Sequence, residues 1–353
     1  MPTPEVLRAL LTTPGPSGYE HAAAGVWREA AQRFSSDVRG DLMGSSVAVV
    51  EGRDGGPLTA VVGHIDEIGL IVTYIDDDGM LWFTGVGGWD AQILVGQRVE
   101  VQAAAGPRPG VVGKKPIHLL KDDDRKKVAE LKDLHIDIGA RDGDEARSLV
   151  RVGDVAVIAG EPVELPNNRV VSRSMDNRLG SYVALEAARL VAEAGGAPGD
   201  VAGVAVVQEE ITFAGAKTTA FALQPQVAIV VDVTHATDAP GIDPKEVGGK
   251  HELGSGPVLN RGSTIHPRVF EALRDTAEAE GIAYTVEASA RSTGTDADAF
   301  FVSRSGIPTG VVSIPLRYMH SPVEMVQLDD VEACARLIAA FARRLTAETL
   351  FDR

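Results

Sequence analysis

Four stretches of the chain run through a short apolar, β-branched segment and end on residues that bind metals or move protons. They are 58–66 (LTAVVGHID), 201–210 (VAGVAVVQEE), 227–232 (VAIVVD) and 311–320 (VVSIPLRYMH). Continuous Val- and Ile-rich runs of this length, without polar alternation, predict buried strands of a parallel sheet. In open α/β sheets the ligand crevice lies beyond the carboxyl ends of the strands. His64, Asp66, Glu209, Glu210, Asp232 and His320 are therefore expected to converge on one site.

Between these runs the pattern changes period. A helix is expected over about 20–34, because Ser17-Gly-Tyr-Glu20 has capping-box spacing behind Pro14-Gly15-Pro16. Asp176 opens a long helix whose apolar positions Leu179, Val183, Ala184, Ala187, Leu190 and Val191 share one face, and Gly195-Gly196 stops it. Further helices are expected near 267–280, 297–305 and 329–345, with a Gly-rich loop over 241–262. This alternation predicts an α/β domain: a mostly parallel sheet with helices on both faces. From about 67 to 167 the texture differs. Short β-type pieces near 70–75, 80–84, 97–102, 110–113, 134–139 and 155–158 alternate with glycines, which predicts a small barrel or sandwich. The expected organisation is a catalytic domain built from 1–66 and 168–353, with a β-rich domain inserted at 67–167.

Charge and cysteine usage narrow the partners. The 353 residues carry 50 acids against 34 Lys and Arg, a net charge of −16. That balance argues against nucleic acid or an anionic membrane as the partner. The basic cluster at 125–127 follows three aspartates and reads as a solvated mixed-sign segment. The single cysteine, Cys334, cannot make an internal disulfide, and no leader-like or 18-residue apolar run is seen. A cytoplasmic protein is expected.

Taken alone, each chemical residue has an ordinary reading. A strand-end histidine hydrogen-bonds, Asp176 caps its helix, and Asp232 caps a turn. Their joint occurrence at strand ends carries the argument. Two imidazoles and three carboxylates, without thiolates, suit Zn²⁺, Co²⁺ or Mn²⁺. Five ligands exceed a one-metal catalytic site, but a bridging carboxylate would give each of two ions three ligands. Such ions lie about 3.5–4 Å apart and clamp a hydrolytic transition state. Asp176, at a helix start, is placed to bridge. Of Glu209-Glu210, one carboxylate would bind metal while its neighbour accepts a proton from water. Asp66 lies two residues after His64, on the same side of an extended backbone, and is expected to orient the ring.

GHIDEIGLIV (63–72), SMDNRLG (174–180), QEEITFAGA (208–216), VVDVTHATDAPG (230–241), GTDAD (294–298) and RYMHSPVE (317–324) resemble the M42 family of dinuclear metallo-aminopeptidases. PGPSGYE (14–20), GVGGWD (85–90), KPIHLL (115–120) and HIDIGA (135–140) fit as well, so the likeness spans nearly the whole chain in order. The resemblance implies a phosphorylase/hydrolase-like peptidase domain with two divalent ions per subunit, zinc or cobalt, manganese also being compatible. It implies one metal on His64, Asp176 and Asp232, a second on Asp176, Glu210 and His320, and Glu209 as general base. Glu209 and Asp66 are thus the catalytic residues expected. It further implies that the insertion dimerises the chain, and some members build a tetrahedral dodecamer around an enclosed chamber. The expected reaction is removal of N-terminal residues from peptides by a metal-activated water.

Two other classes stand beside it. A glycosidase would use Glu209 with Asp176 or Asp232 and would not need the histidines. A non-catalytic assembly protein would keep the metals for stability. The pocket for an N-terminal side chain is expected from loops 245–255 and 291–295, with acidic, apolar and basic preferences all open. His235, three residues past Asp232, is open to a supporting or a surface role.

Overall fold

The computed structural model describes residues 2–352. Helices α1 (Glu5–Thr12) and α2 (His21–Ala31) precede the hairpin β1 (Asp37–Gly40) and β2 (Ser46–Val50), then the fully buried β3 (Thr59–His64). A closed barrel follows, built from β4 (Gly69–Ile75), β5 (Leu81–Val86), β6 (Arg98–Ala103), β7 (Gly106–Gly113), β8 (His135–Asp137) and β9 (Val155–Ile158). It carries the short helices α3 (Ala91–Leu94) and α4 (Gly143–Leu149) around its own apolar core, which includes Leu70, Leu81, Val99, Val112 and Ile136. The chain returns through β10 (Val163–Leu165) and β11 (Arg169–Ser172) to α5 (Met175–Glu193), β12 (Val201–Val206), α6 (Glu209–Thr212), α7 (Ala214–Leu223) and β13 (Val227–His235). The last part holds β14 (Val258–Gly262), α8 (Pro267–Glu280), β15 (Thr285–Ser289), α9 (Ala297–Phe300), β16 (Thr309–Leu316), β17 (Glu324–Gln327) and α10 (Leu328–Arg344).

Among the described residues, eight strands form the main sheet in the order β1-β2-β12-β3-β13-β16-β14-β15. Its centre, β12-β3-β13-β16, is parallel, and these are the four apolar runs read from the sequence. The pairs β1/β2, β2/β12 and β14/β16 are antiparallel. β10, β11 and β17 make a separate small sheet. Helices flank the main sheet, and α5 packs directly on β3, β12 and β13. Glycines let α5 come that close. A Cβ built on Gly63 would sit 2.2 Å from the Gly180 carbonyl carbon, so helix backbone rests on strand backbone one residue before His64. None of the described helices is long and apolar enough to cross a membrane.

Several local expectations change. Ser17 and Glu20 do not form a capping box on α2. Ser17 donates its hydroxyl to Asp66, and Glu20 accepts from the backbone N–H of Gly18 and Gln208. A buried carboxylate left without donors costs more than a helix end open to water, so Asp66 takes the hydroxyl. β14 occupies the end of the expected Gly-rich loop, and α9 stops at Phe300 rather than near 305.

Candidate metal centre

Each strand of the parallel centre delivers a side chain to one cavity of about 340 Å³. His64 ends β3, Asp232 lies on β13, Glu209 and Glu210 open α6 just after β12, and His320 follows β16. Asp176 comes from the start of α5, where its backbone and that of Asn177 leave helical dihedrals. The Nε2 atom of His64 lies 3.2 Å from Asp176 Oδ1, 3.8 Å from Glu209 Oε2 and 3.9 Å from Asp232 Oδ1. The Nε2 atom of His320 lies 3.4 Å from Asp176 Oδ2 and 3.3 Å from Glu210 Oε1. The two oxygens of Asp176 therefore face different imidazoles.

The far side of each ring is occupied by an acceptor. His320 Nδ1 lies 3.0 Å from the Gly88 carbonyl, which can only accept, so Nδ1 carries a proton and Nε2 is the nitrogen turned toward the acids. His64 Nδ1 lies 3.3 Å from Asp66 Oδ1. Asp66 is fully buried behind His64 and is not part of the cavity wall. Its carboxylate also accepts from the backbone N–H groups of Glu209 (3.1 Å) and Glu210 (3.2 Å). One acid thus lies against the His64 ring and binds the backbone of both glutamates. Glu324, which the sequence reading gave no role, does similar work: it accepts from the N–H groups of Met175 (2.7 Å), Asp176 (3.2 Å) and His320 (2.8 Å). Thr295 donates its hydroxyl to Asp232. Ser174, Gln208 and His320 hold left-handed backbone at φ 59°, 59° and 58°. Such non-glycine residues cost about 1–3 kcal/mol each, and they cluster at functional sites.

The electrostatics are lopsided. Asp176, Glu209, Glu210 and Asp232 share the cavity with His64, His235 and His320 as its basic groups, and Asp296 is buried nearby. Burial, with Asp232, Asp296 and Glu210 adding to it against His64, pushes the Glu209 carboxyl up to about 10. Burial, helped by Asp176 and opposed by His64, lifts Asp232 to about 7. Hydrogen bonds to Asp176 and Glu210 raise His320 to about 11. Burial opposes a charge on His64, but Glu209, Asp176 and Asp66 together hold it well above the usual imidazole range. Asp176 goes the other way: burial raises it, yet the two imidazoles win and hold it low. Both oxygens of buried Asp296 lack a hydrogen-bond partner, and burial raises this carboxyl too.

A buried group of acids this crowded has to be neutralised, by protons or by coordinated cations. Ligand atoms of His64, Asp176 and Glu210, and of His64, Glu209 and Asp232, lie within 4.8 Å of one another. These triples divide the residues differently from the resemblance, which gives Glu209 no metal and gives His320 one. The donor set itself, imidazole nitrogen and carboxylate oxygen only, fits borderline divalent ions.

The centre also receives backbone from the β-barrel, a contribution not expected from the strand-end pattern. The barrel reaches the centre through Gly87-Gly88, where a Cβ on Gly88 would lie 3.4 Å from His320 Nδ1 and one on Gly87 3.4 Å from Glu210 Oε2. The GVGGWD motif was the available signal. Of the two loops expected to shape the side-chain pocket, Thr293, Gly294 and Thr295 line the cavity and no residue of 245–255 does. His235 lines it as well, as do Asn260 and Glu287 on β14 and β15. Thr234 donates its hydroxyl to Glu287 at 2.9 Å.

Comparison with known proteins agrees with this architecture. The profile of the M42 glutamyl aminopeptidase family matches residues 44–337. A lysyl aminopeptidase of Pyrococcus furiosus is 35% identical over 344 residues, 97% of each chain. The crystal structure of a TET aminopeptidase from a marine sediment thaumarchaeon superposes with a TM-score of 0.92 at 35% identity, covering 98% of this chain and 96% of that one. The TET peptidase of Pyrococcus horikoshii, which can assemble into a tetrahedron or a large octahedral shell, gives a TM-score of 0.85 at 32% identity, over 97% and 99%. These likenesses support the peptidase reading and not the glycosidase one. With the motifs in order from residue 14 to 324 and this breadth of match, the chain belongs to the M42 family of aminopeptidases.

Proposed function

We propose that this aminopeptidase works with two divalent cations, one among His64, Asp176 and Asp232 and one among Asp176, Glu210 and His320, and that Glu209 is its general base. Asp176 carries the reading, because its two oxygens face the Nε2 atoms of two different histidines whose Nδ1 atoms already meet acceptors. When bound, the ions supply Lewis acidity that polarises a peptide carbonyl and acidifies a water. Glu209 accepts the proton of the attacking water and returns it to the leaving amine. Without cations, burial and the neighbouring Asp232, Asp296 and Glu210 favour its protonated form, so bound cations would also free it to act as a base. Asp66 is a positioning residue, fixing the His64 ring and the backbone of both glutamates.

The same reading makes 67–167 a dimerisation domain and a closed shell of dimers the assembled form, as in the TET peptidases. Exposed Ile117, Leu119 and Val128 on that segment support it. Substrates are then peptides small enough to enter the shell.

Metal content and turnover of an aminoacyl anilide, measured on the same samples, test the assignment. Chelation should abolish hydrolysis, and Zn²⁺ or Co²⁺ should restore it. Glu209→Gln should keep its metals yet lose turnover by about 10²–10⁴-fold. Asp176→Ala should lose metal and activity together. Wild-type turnover in Glu209→Gln would remove that residue's role.

A further inference from the structure

The cavity runs on past the candidate ligands along β13, through Val233, Thr234 and His235. Asp232 and Thr234 are two residues apart on that strand, so their side chains share a face at a spacing of roughly 6.6 Å. Asp232 faces His64, and Thr234 meets Glu287 on the parallel strands β14 and β15, where Glu287 is paired in register with Asn260. Glu287 is half-buried and accepts that one hydroxyl at 2.9 Å. Among the described residues no charged group is paired with it, and no Lys or Arg lines the cavity. A carboxylate can accept about four hydrogen bonds, so beyond the Thr234 hydroxyl Glu287 keeps capacity for a donor arriving through the cavity. Val311 and Met319 add aliphatic surface to the cavity.

A flexible four-carbon stem ending in an ammonium matches this layout: methylenes against the aliphatic wall, charge at the carboxylate. The geometry points to Glu287 as the residue that selects a cationic N-terminal side chain, lysine or arginine, by pairing with its charged head. This rests on the aminopeptidase reading of the cavity, with the scissile bond at the metal ligands. An apolar side chain would leave the half-buried Glu287 without this partner, and an acidic one would be repelled.

The test is a set of initial rates for the metal-loaded, full-length enzyme on lysyl, arginyl, norleucyl, leucyl and glutamyl anilides. Norleucine has nearly the shape of lysine without the charge. The lysyl substrate should exceed the norleucyl one in kcat/KM by about 10–100-fold, the range of a charge-assisted hydrogen bond. In Glu287→Gln that ratio should collapse toward one, and Glu287→Lys should turn the preference toward glutamyl. A wild-type enzyme that cleaves norleucyl or glutamyl anilide at least as well as lysyl overturns the assignment and leaves the aminopeptidase reading standing. A Glu287→Gln protein that loses all substrates by the same factor also overturns it. Failure of the metal-loaded protein to cleave any aminoacyl substrate overturns both. The wild-type ranking needs no variant, so the inference remains exposed to refutation even where a variant does not fold.

Discussion

Asp66 shows how much a residue outside the cavity can decide within it. Its carboxylate holds the Ser17 hydroxyl and the N–H groups of Glu209 and Glu210, and it lies 3.3 Å from the His64 ring. Asparagine there would replace one acceptor oxygen with a donor in a place surrounded by donors. Asp66→Asn is expected to fold but to bind metal about 10–100-fold more weakly, as measured by competition with a chelator of known affinity. Unchanged metal affinity would show that His64 needs no such support. Asp66 was legible because it sits two residues from a strand-end histidine. Ser17 was misread, since a capping box is a local pattern and its real partner is 49 residues away. Glu287 gave no signal: neighbouring positions on β15 alternate between half-buried and exposed, and a single acid there looks like ordinary surface. Glu324 was equally silent, although it lies four residues after His320, because only its distant N–H partners reveal it.

Elements hold the site through backbone contact and through shared acids. Gly63 on β3 and Gly180 on α5 touch backbone to backbone. Gly63→Ala would force strand and helix apart just where His64 and Asp176 must meet. A loss of about 1–3 kcal/mol is expected for such overpacking, read as a lower melting temperature together with weaker metal binding. Glu324 joins β17 to the start of α5 and to the His320 loop. In Glu324→Gln the amide would turn a donor toward these N–H groups, so thermal stability should fall and the His320 side should lose metal first, as seen in stepwise chelation. A variant that melts like the parent would deny Glu324 this joining role. The four central strands were legible because both faces are covered, so their apolar runs are continuous. The edges were not. β17, for example, is four residues long and pairs with β11, more than 150 positions away, so no local periodicity marks it.

At the scale of the whole molecule, the centre sets how stability responds to pH and metal. In the metal-free protein the folded state holds protons that the unfolded chain releases. Asp232 titrates near 7, Glu209 near 10 and His320 near 11 when folded. Their unfolded counterparts titrate near 4, 4 and 6.5. A group raised in the folded state contributes its stability below its unfolded value and loses it as pH climbs through the folded one. Between about pH 6 and 8.5 the metal-free fold should therefore weaken, by about 1.4 kcal/mol per pH unit for each excess proton. Asp176 is held low instead, so its linkage falls below this window and does not compensate. Bound cations would replace the protons, and they would compete better as pH rises. Metal at about 100 times its dissociation constant would add about 2.7 kcal/mol to the folded state. Melting curves at pH 6, 7 and 8.5, with chelator or with Zn²⁺ or Co²⁺ at one protein concentration, should show two diverging lines. The chelated protein should melt lower at each step up in pH, and its gap from the loaded protein should widen. A chelated protein that grows more stable across that range, or one indifferent to chelation, would mean that the acids of the cavity are neutralised by something other than bound cations.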